Sequence, residues 1–164
     1  MSILYDTLGI VSLQRVIELA LASYNTRRLR ACGAIEADAP GYPWLVALHA
    51  AWLGSLMLLV PADRTPVWPL LGVFAALQIC RLWVMTALGR RWTTRIIVLP
   101  GAPLVRAGPY RWLRHPNYAV VAGEIAVLPL AFGAVAIAVV FSLANLGLIR
   151  RRITIEQRAL APLR

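Results

Sequence analysis

Residues 118–149 read YAVVAGEIAVLPLAFGAVAIAVVFSLANLGLI, and how this run is divided decides the fold. It is too long for one membrane span of about 20 residues, and its one charged residue is Glu124. Pro129 and Gly133 sit near its middle. A proline inside a helix removes a backbone donor, and a nearby glycine permits a tight reversal. The run is therefore read as a helical hairpin whose first arm is short, as in a tilted or partly interfacial helix.

Three further apolar spans precede it, roughly Ile3 to Tyr24, Trp44 to Val60 and Val67 to Leu88. The apolar fraction is 60% and the mean hydropathy +0.69, against about 45–50% apolar in ordinary soluble domains. A soluble protein of 164 residues cannot hide so much apolar surface, whereas a bilayer accepts it. The expected fold is an all-α integral membrane protein of about five transmembrane helices, the last two a helical hairpin. One domain covers residues 1–164, with three spans in 1–88 and a second half in 89–164. Ala20-Leu21-Ala22 resembles a signal cleavage site. No basic region precedes it, however, and Gln14, Arg15 and Glu18 interrupt the apolar stretch, so a retained span is expected.

The formal net charge is +10, and all 17 basic residues are arginines. They sit in short clusters between apolar runs rather than along a basic, aromatic-interleaved surface, so no nucleic-acid partner is expected. Clusters follow span one (Arg27, Arg28, Arg30), fill the long connection after span three (Arg90 to Arg114) and follow span five (Arg150 to Arg152, Arg158, Arg164). The opposite connections hold only Arg64. With five spans every cluster falls on one side. This places the amino terminus outside, and the long loop and carboxyl terminus in the cytoplasm, for a multi-pass protein of the inner (plasma) membrane. Cys32 and Cys80 belong to no Cys-x-x-Cys pair; neither a metal site nor a disulfide is expected, and both are read as inert buried thiols.

Charges inside the spans are few. Arg15 and Glu18, at i and i+3, can pair on one helix. Arg81 and Glu124 have no local partner and are expected to face a polar cavity. With Arg95 of the long loop they are the candidate substrate-binding residues.

The informative polar segment is Gly108-Pro109-Tyr110-Arg111-Trp112-Leu113-Arg114-His115-Pro116-Asn117-Tyr118. Pro116 biases His115 toward extended backbone and suits the first turn of a helix. The fourth span should begin there, its free amides and flanking arginines forming a seat for an anion such as a methionine carboxylate. His115 and Tyr118 add hydrogen-bonding groups and ring faces that can pack on a nucleoside. An interfacial aromatic belt with snorkelling arginines has a similar composition. A second cluster, Arg150-Arg151-Arg152-Ile153-Thr154-Ile155-Glu156-Gln157, puts Glu156 at i+4 from Arg152, on one helical face.

Arg114-His115-Pro116-Asn117-Tyr118, an apolar hairpin and then Arg152-Ile153-x-x-Glu156 resemble the isoprenylcysteine carboxyl methyltransferase family. The likeness runs from about Leu88 to Leu160. Gly89-Arg90-Arg91-Trp92-Thr93-Thr94-Arg95 through Val105, Gly41-Tyr42-Pro43 and Leu48-His49-Ala50-Ala51-Trp52 are similar to bacterial members found beside type III polyketide synthases. The sequence departs from the prenylcysteine enzymes at Val120 and Val121, where they carry a glycine and a nearby aromatic, and at Gln157, where they carry a second glutamate.

The resemblance implies an S-adenosylmethionine-dependent methyltransferase whose second half, residues 89–164, binds the cofactor at the cytoplasmic helix ends under a carboxyl-terminal cap. Tyr110, Arg114, His115, Asn117 and Tyr118 would bind the cofactor, and Arg152 and Glu156 would be catalytic. Glu156 or His115 would act as base or position the acceptor, while Arg152 orients it. The acceptor would be lipid-like and enter between helices. The bacterial subgroup implies O-methylation of a long-chain alkylpyrone or alkylresorcinol and a functional link to such a synthase; the wider family implies carboxyl methylation of a prenylcysteine-like lipid. Two other classes share parts of the pattern. Membrane sterol reductases, which use NADPH, carry an Arg-His-Pro-x-Tyr segment before a late helix, and a non-enzymatic membrane scaffold would use its arginines only for topology.

Overall fold

The computed structural model describes residues 2–161; Arg164 of the last cluster lies outside them. Five α-helices carry the described residues: α1 Ile3–Ala31, α2 Tyr42–Leu59, α3 Trp68–Leu88, α4 Pro116–Ala131 and α5 Val135–Leu160. The run at 118–149 divides as its residues dictate. Pro129 lies in the last turn of α4, Gly133 takes φ +70°, and Ala134 N–H bonds back to Pro129 O at 2.9 Å. A side chain at Gly133 would meet Arg64, whose Nε donates to Phe132 O at 3.3 Å.

The outer helices run longer than the apolar spans. α1 continues past Tyr24 to Ala31, with Arg28 and Arg30 in its last turn, where cations are favoured by the helix dipole. α5 continues past Ile149 through the three arginines to Leu160. At about 1.5 Å per residue these helices outreach a hydrocarbon core of about 30 Å. Among the described residues, Tyr42–Leu59 and the stretch Trp68–Arg91 are long and apolar enough to cross a membrane. Leu58 is 81% and Ile79 70% exposed, as lipid-facing residues would be. Cys32 and Cys80, expected inside, are both exposed and free. Cys80 lies between exposed Ile79 and Leu82 on α3, whose buried face carries Phe74, Arg81 and Val84.

α4 packs between α3 and α5. The apolar core gathers at one end of the bundle, from Leu4, Leu8 and Val11 of α1, Trp52 and Leu56 of α2, Phe74 of α3, and Ile125 and Leu128 of α4. The same end is tied by Val67 N–H to Ala131 O at 2.7 Å and by Ser2 Oγ to Ala62 O. At the other end the two long connections fold over each other. A short antiparallel ladder pairs Ile35 with Val98 and Glu36 with Ile97. Asp38, 3% exposed, takes a two-pronged bond from Arg151 at 2.9 and 3.0 Å and the Gly41 N–H at 3.2 Å. That clasp leaves no room for a side chain at Gly41, where a Cβ would run into the Arg151 guanidinium and the Asp38 carboxylate. Gly41→Ala is expected to lower stability by about 1–3 kcal/mol through overpacking, read as a reduced thermal midpoint in detergent.

Between core and loops lies a buried ion network. Arg81 donates Nε and Nη2 to the two oxygens of Glu18, each at 2.6 Å, and Nη1 to Glu124 at 3.1 Å. Arg15 Nη1 bonds Glu18 at 2.7 Å, while its Nη2 lies 2.9 Å from Glu124 at an angle that makes the contact ionic rather than a hydrogen bond. Gln14 and Gln78 complete the set, at 2.9 Å to Glu18 and 3.0 Å to Glu124. Two arginines therefore face two glutamates, so the group is formally neutral. Arg81 and Glu124, which have no local partner in the sequence, bind each other across α3 and α4, a pairing that their separation in sequence conceals.

Candidate active site

The long connections, the loop-side halves of the helices and the ion network enclose one cavity of about 790 Å³. Arg15, Glu18 and Arg81 lie in the wall nearest the apolar core. Residues 91–99 and 102–106 of the α3–α4 connection line the opposite side. That connection is held by Asn25 Nδ2 to Trp92 O at 2.8 Å and Ala37 N–H to Ile96 O at 2.9 Å.

His115 precedes α4 with φ −134° and ψ 60°, outside the α region that a following proline disfavours, and Pro116 opens the helix. The same turn brings Asn117 and Tyr118 to the cavity wall beside Tyr110 and the exposed Arg114. The His115 and Tyr118 rings lie 5.7 Å apart and tilted. On α5, Asn145, Ile149, Arg152, Glu156 and Leu160 all line the cavity, spaced by three and four residues along one helical face. Arg152 is 4% exposed; its Nη2 donates to Thr94 O at 2.9 Å, and its guanidinium stands 6.0 Å from the Tyr118 ring. Glu156 Oε2 is 3.5 Å from His115 Nδ1, without hydrogen-bond geometry. Burial, and secondarily the Glu156 carboxylate, hold the Tyr110 phenol above its ordinary value, so it remains a neutral donor at physiological pH.

Several buried polar atoms here have no hydrogen-bond partner: Arg152 Nε and Nη1, His115 Nδ1, Asn117 Oδ1 and Asn145 Oδ1. Buried polar groups in folded proteins are nearly always paired. A cluster of unpaired ones around a cavity marks a surface shaped for a polar ligand.

The expected residues divide into two groups. Tyr110, Arg114, His115, Asn117, Tyr118, Arg152 and Glu156 all reach the cavity, as do Arg81 and Arg95. Arg95 is engaged by Glu36 at 2.7 Å and stacks 3.9 Å from the Tyr42 ring centre. Glu124 is 1% exposed and is not part of the cavity wall; the substrate contact expected of it gives way to its place in the ion network. Arg15, His49 and Asn145 also line the cavity. Sequence reading assigned none of them to the site: Arg15 was paired with Glu18 on its own helix, His49 carried only a likeness to the bacterial subgroup, and Asn145 is one amide inside an apolar run.

The sequence profile of the isoprenylcysteine carboxyl methyltransferase (ICMT) family matches residues 70–162, more than half of the chain. It takes in α3, the loop over the cavity, the His115 turn and the α5 stripe. The protein belongs to the isoprenylcysteine carboxyl methyltransferase family. Members of this family are membrane-associated methyltransferases that generally use S-adenosylmethionine. The chain is also 38% identical over 157 residues to the uncharacterized protein YpbQ of Bacillus subtilis (strain 168), covering 93% of this chain and 94% of that one. No solved structure matches it. Family membership makes the protein a methyltransferase of the membrane.

Proposed function

We propose that this protein is a five-span, S-adenosylmethionine-dependent methyltransferase of the inner membrane that O-methylates a long-chain alkylpyrone or alkylresorcinol. The observation that carries the reading is the set of unpartnered polar atoms on His115, Asn117 and Arg152 around one cavity. They suit the cofactor's charged amino-acid end and its ribose hydroxyls, and the His115, Tyr118 and Tyr110 rings offer faces for the adenine. Bound there, S-adenosylmethionine would supply an electrophilic methyl group on sulfonium sulfur. Arg152, fixed on Thr94 O, keeps two N–H groups for an anionic oxygen. Glu156 lies 3.5 Å from His115 Nδ1, and Gln157 Nε2 meets His115 Nε2 at 3.5 Å, so α5 borders the ring. The covering loops exclude water, and in-line displacement gains from both alignment and dryness.

Five spans with the amino terminus outside are supported by the arginine clusters, which all lie at the cavity end of the bundle, at the ends of α1, α3 and α5 and in the loop before α4. The second half, 89–164, would carry the cofactor, capped by the last turns of α5. The acceptor would reach the cavity from the lipid past Ser12, Val16 and Leu19 of α1 and Leu45, Val46 and Leu53 of α2, with Arg81 and Arg95 near its polar end. A type III polyketide synthase would furnish such an acceptor, as the motifs shared with the bacterial subgroup suggest.

Calorimetry on detergent-purified protein tests the cofactor. Wild type should bind S-adenosylmethionine saturably, and the folded double variant His115→Ala/Glu156→Ala should lose at least about tenfold in affinity, as loss of ligand hydrogen bonds predicts. An absence of binding by well-folded wild type would sink the reading.

A further inference from the structure

His49 stands on α2 between the loops and the core, in the wall of the same cavity. Its Nδ1 lies 2.8 Å from Leu45 O. A carbonyl oxygen can only accept, so Nδ1 carries the hydrogen, and a neutral His49 ring holds its lone pair on Nε2. The ring is partly exposed and packs edge-on to Trp52 at 6.5 Å, and among the described residues its side-chain hydrogen bond is the one from Nδ1. Around it are Arg15 and Glu18 of α1, Arg81 of α3 and Glu124 of α4, a network whose charges cancel. From α5 comes Asn145, 1% exposed, with its side-chain oxygen unpartnered. Arg15 Nε is also buried and unpartnered. The cavity wall therefore holds one proton acceptor, beside side chains that carry an unpartnered buried amide oxygen and an unpartnered buried cationic edge.

This arrangement is chemically selective. A carboxylate acceptor is already ionised and has no use for a base. A phenol or enol must lose its proton as the new bond forms, and its anion is stabilised by a nearby cation. Resting on the methyltransferase reading above, we infer that His49 is the general base for an acidic ring hydroxyl, with Arg15 and Asn145 positioning the ring, so that the acceptor is a phenol or enol rather than a carboxylate. The acceptor O–H bond breaks and its proton passes to His49 Nε2. The oxygen's electron pair forms the O–CH₃ bond, and the C–S bond of the donor breaks with its pair remaining on sulfur. His49 returns the proton to water when product leaves.

The test uses a long-chain 4-alkyl-2-nitrophenol, whose ionisation is read directly by its visible absorption. Bound to wild type in detergent, the probe should ionise at a pH lower by about one unit or more than in empty micelles, the scale of shift that a specific partner produces. In His49→Gln the midpoint should return toward the micelle value, while the heat of S-adenosylmethionine binding stays as in wild type. Turnover of a hydroxyl acceptor by His49→Gln should fall about 100-fold or more, mainly in kcat. A wild-type midpoint equal to that in micelles overturns the assignment whether or not the variant folds, as does an unaltered midpoint in His49→Gln. Failure of wild type to bind S-adenosylmethionine would instead overturn the methyltransferase reading on which the assignment stands.

Discussion

Arg152→Lys is expected to lower kcat/KM by about 100-fold or more, with the fold retained. Arg152 is nearly fully buried, spends Nη2 on Thr94 O, and leaves Nε and Nη1 without partners at the cavity. Its planar fork thus joins the covering loop to whatever anionic oxygen occupies the site. Lysine keeps the positive charge but concentrates it on one flexible ammonium that cannot hold Thr94 O and a ligand in the same fixed geometry. The loop should lose its anchor and the ligand its orientation together. Turnover and cofactor calorimetry, beside a thermal midpoint, check this. Turnover within twofold of wild type would show that the free guanidinium edge serves no reacting group.

Glu124→Ala is expected to cost about 3–5 kcal/mol of stability, because removing one member of a buried ion group leaves its partners uncompensated. Glu124 accepts from Gln78 at 3.0 Å and Arg81 at 3.1 Å and lies 2.9 Å from Arg15. Its loss converts a formally neutral group of two arginines and two glutamates into one with an excess cation. Glu18 alone then faces both arginines, in an apolar bundle where an excess charge is costly. The readout is the thermal midpoint in detergent, with Glu124→Gln as comparison: the amide restores shape and some hydrogen bonding but not the charge, and should remain well below wild type. A substrate-contacting Glu124 would behave differently, with acceptor KM rising at unchanged midpoint.

The same network shows where sequence reading stops. Arg15 and Glu18 are three residues apart, and their pairing follows from helical geometry alone. Arg81 and Glu124 come from helices whose relative rotation is set by packing. On α3, Arg81 marks an inner position but not the helix that faces it, so the pairing with Glu124 could not be read. The cofactor-side residues were legible for the opposite reason. Pro116 imposes its own constraint on His115, and Arg152 and Glu156 lie on one helix, so their relations are local. His49 and Asn145 bore no such mark.

Sequence by itself determined the apolar composition, the division of residues 118–149 into a hairpin, the grouping of arginines between spans, and the two motifs that carry the family. These depend on backbone restriction at proline and glycine, on hydrophobic length, and on spacing along single helices. Tertiary structure alone decided that the apolar core occupies one end of the bundle and the cavity the other. It alone closed the ion network across three helices and brought Arg15 and His49 from the first half to the wall shared with Arg152. Those outcomes depend on how helices rotate and stack against one another, and that is set by the packing of many side chains at once rather than by any segment of the chain.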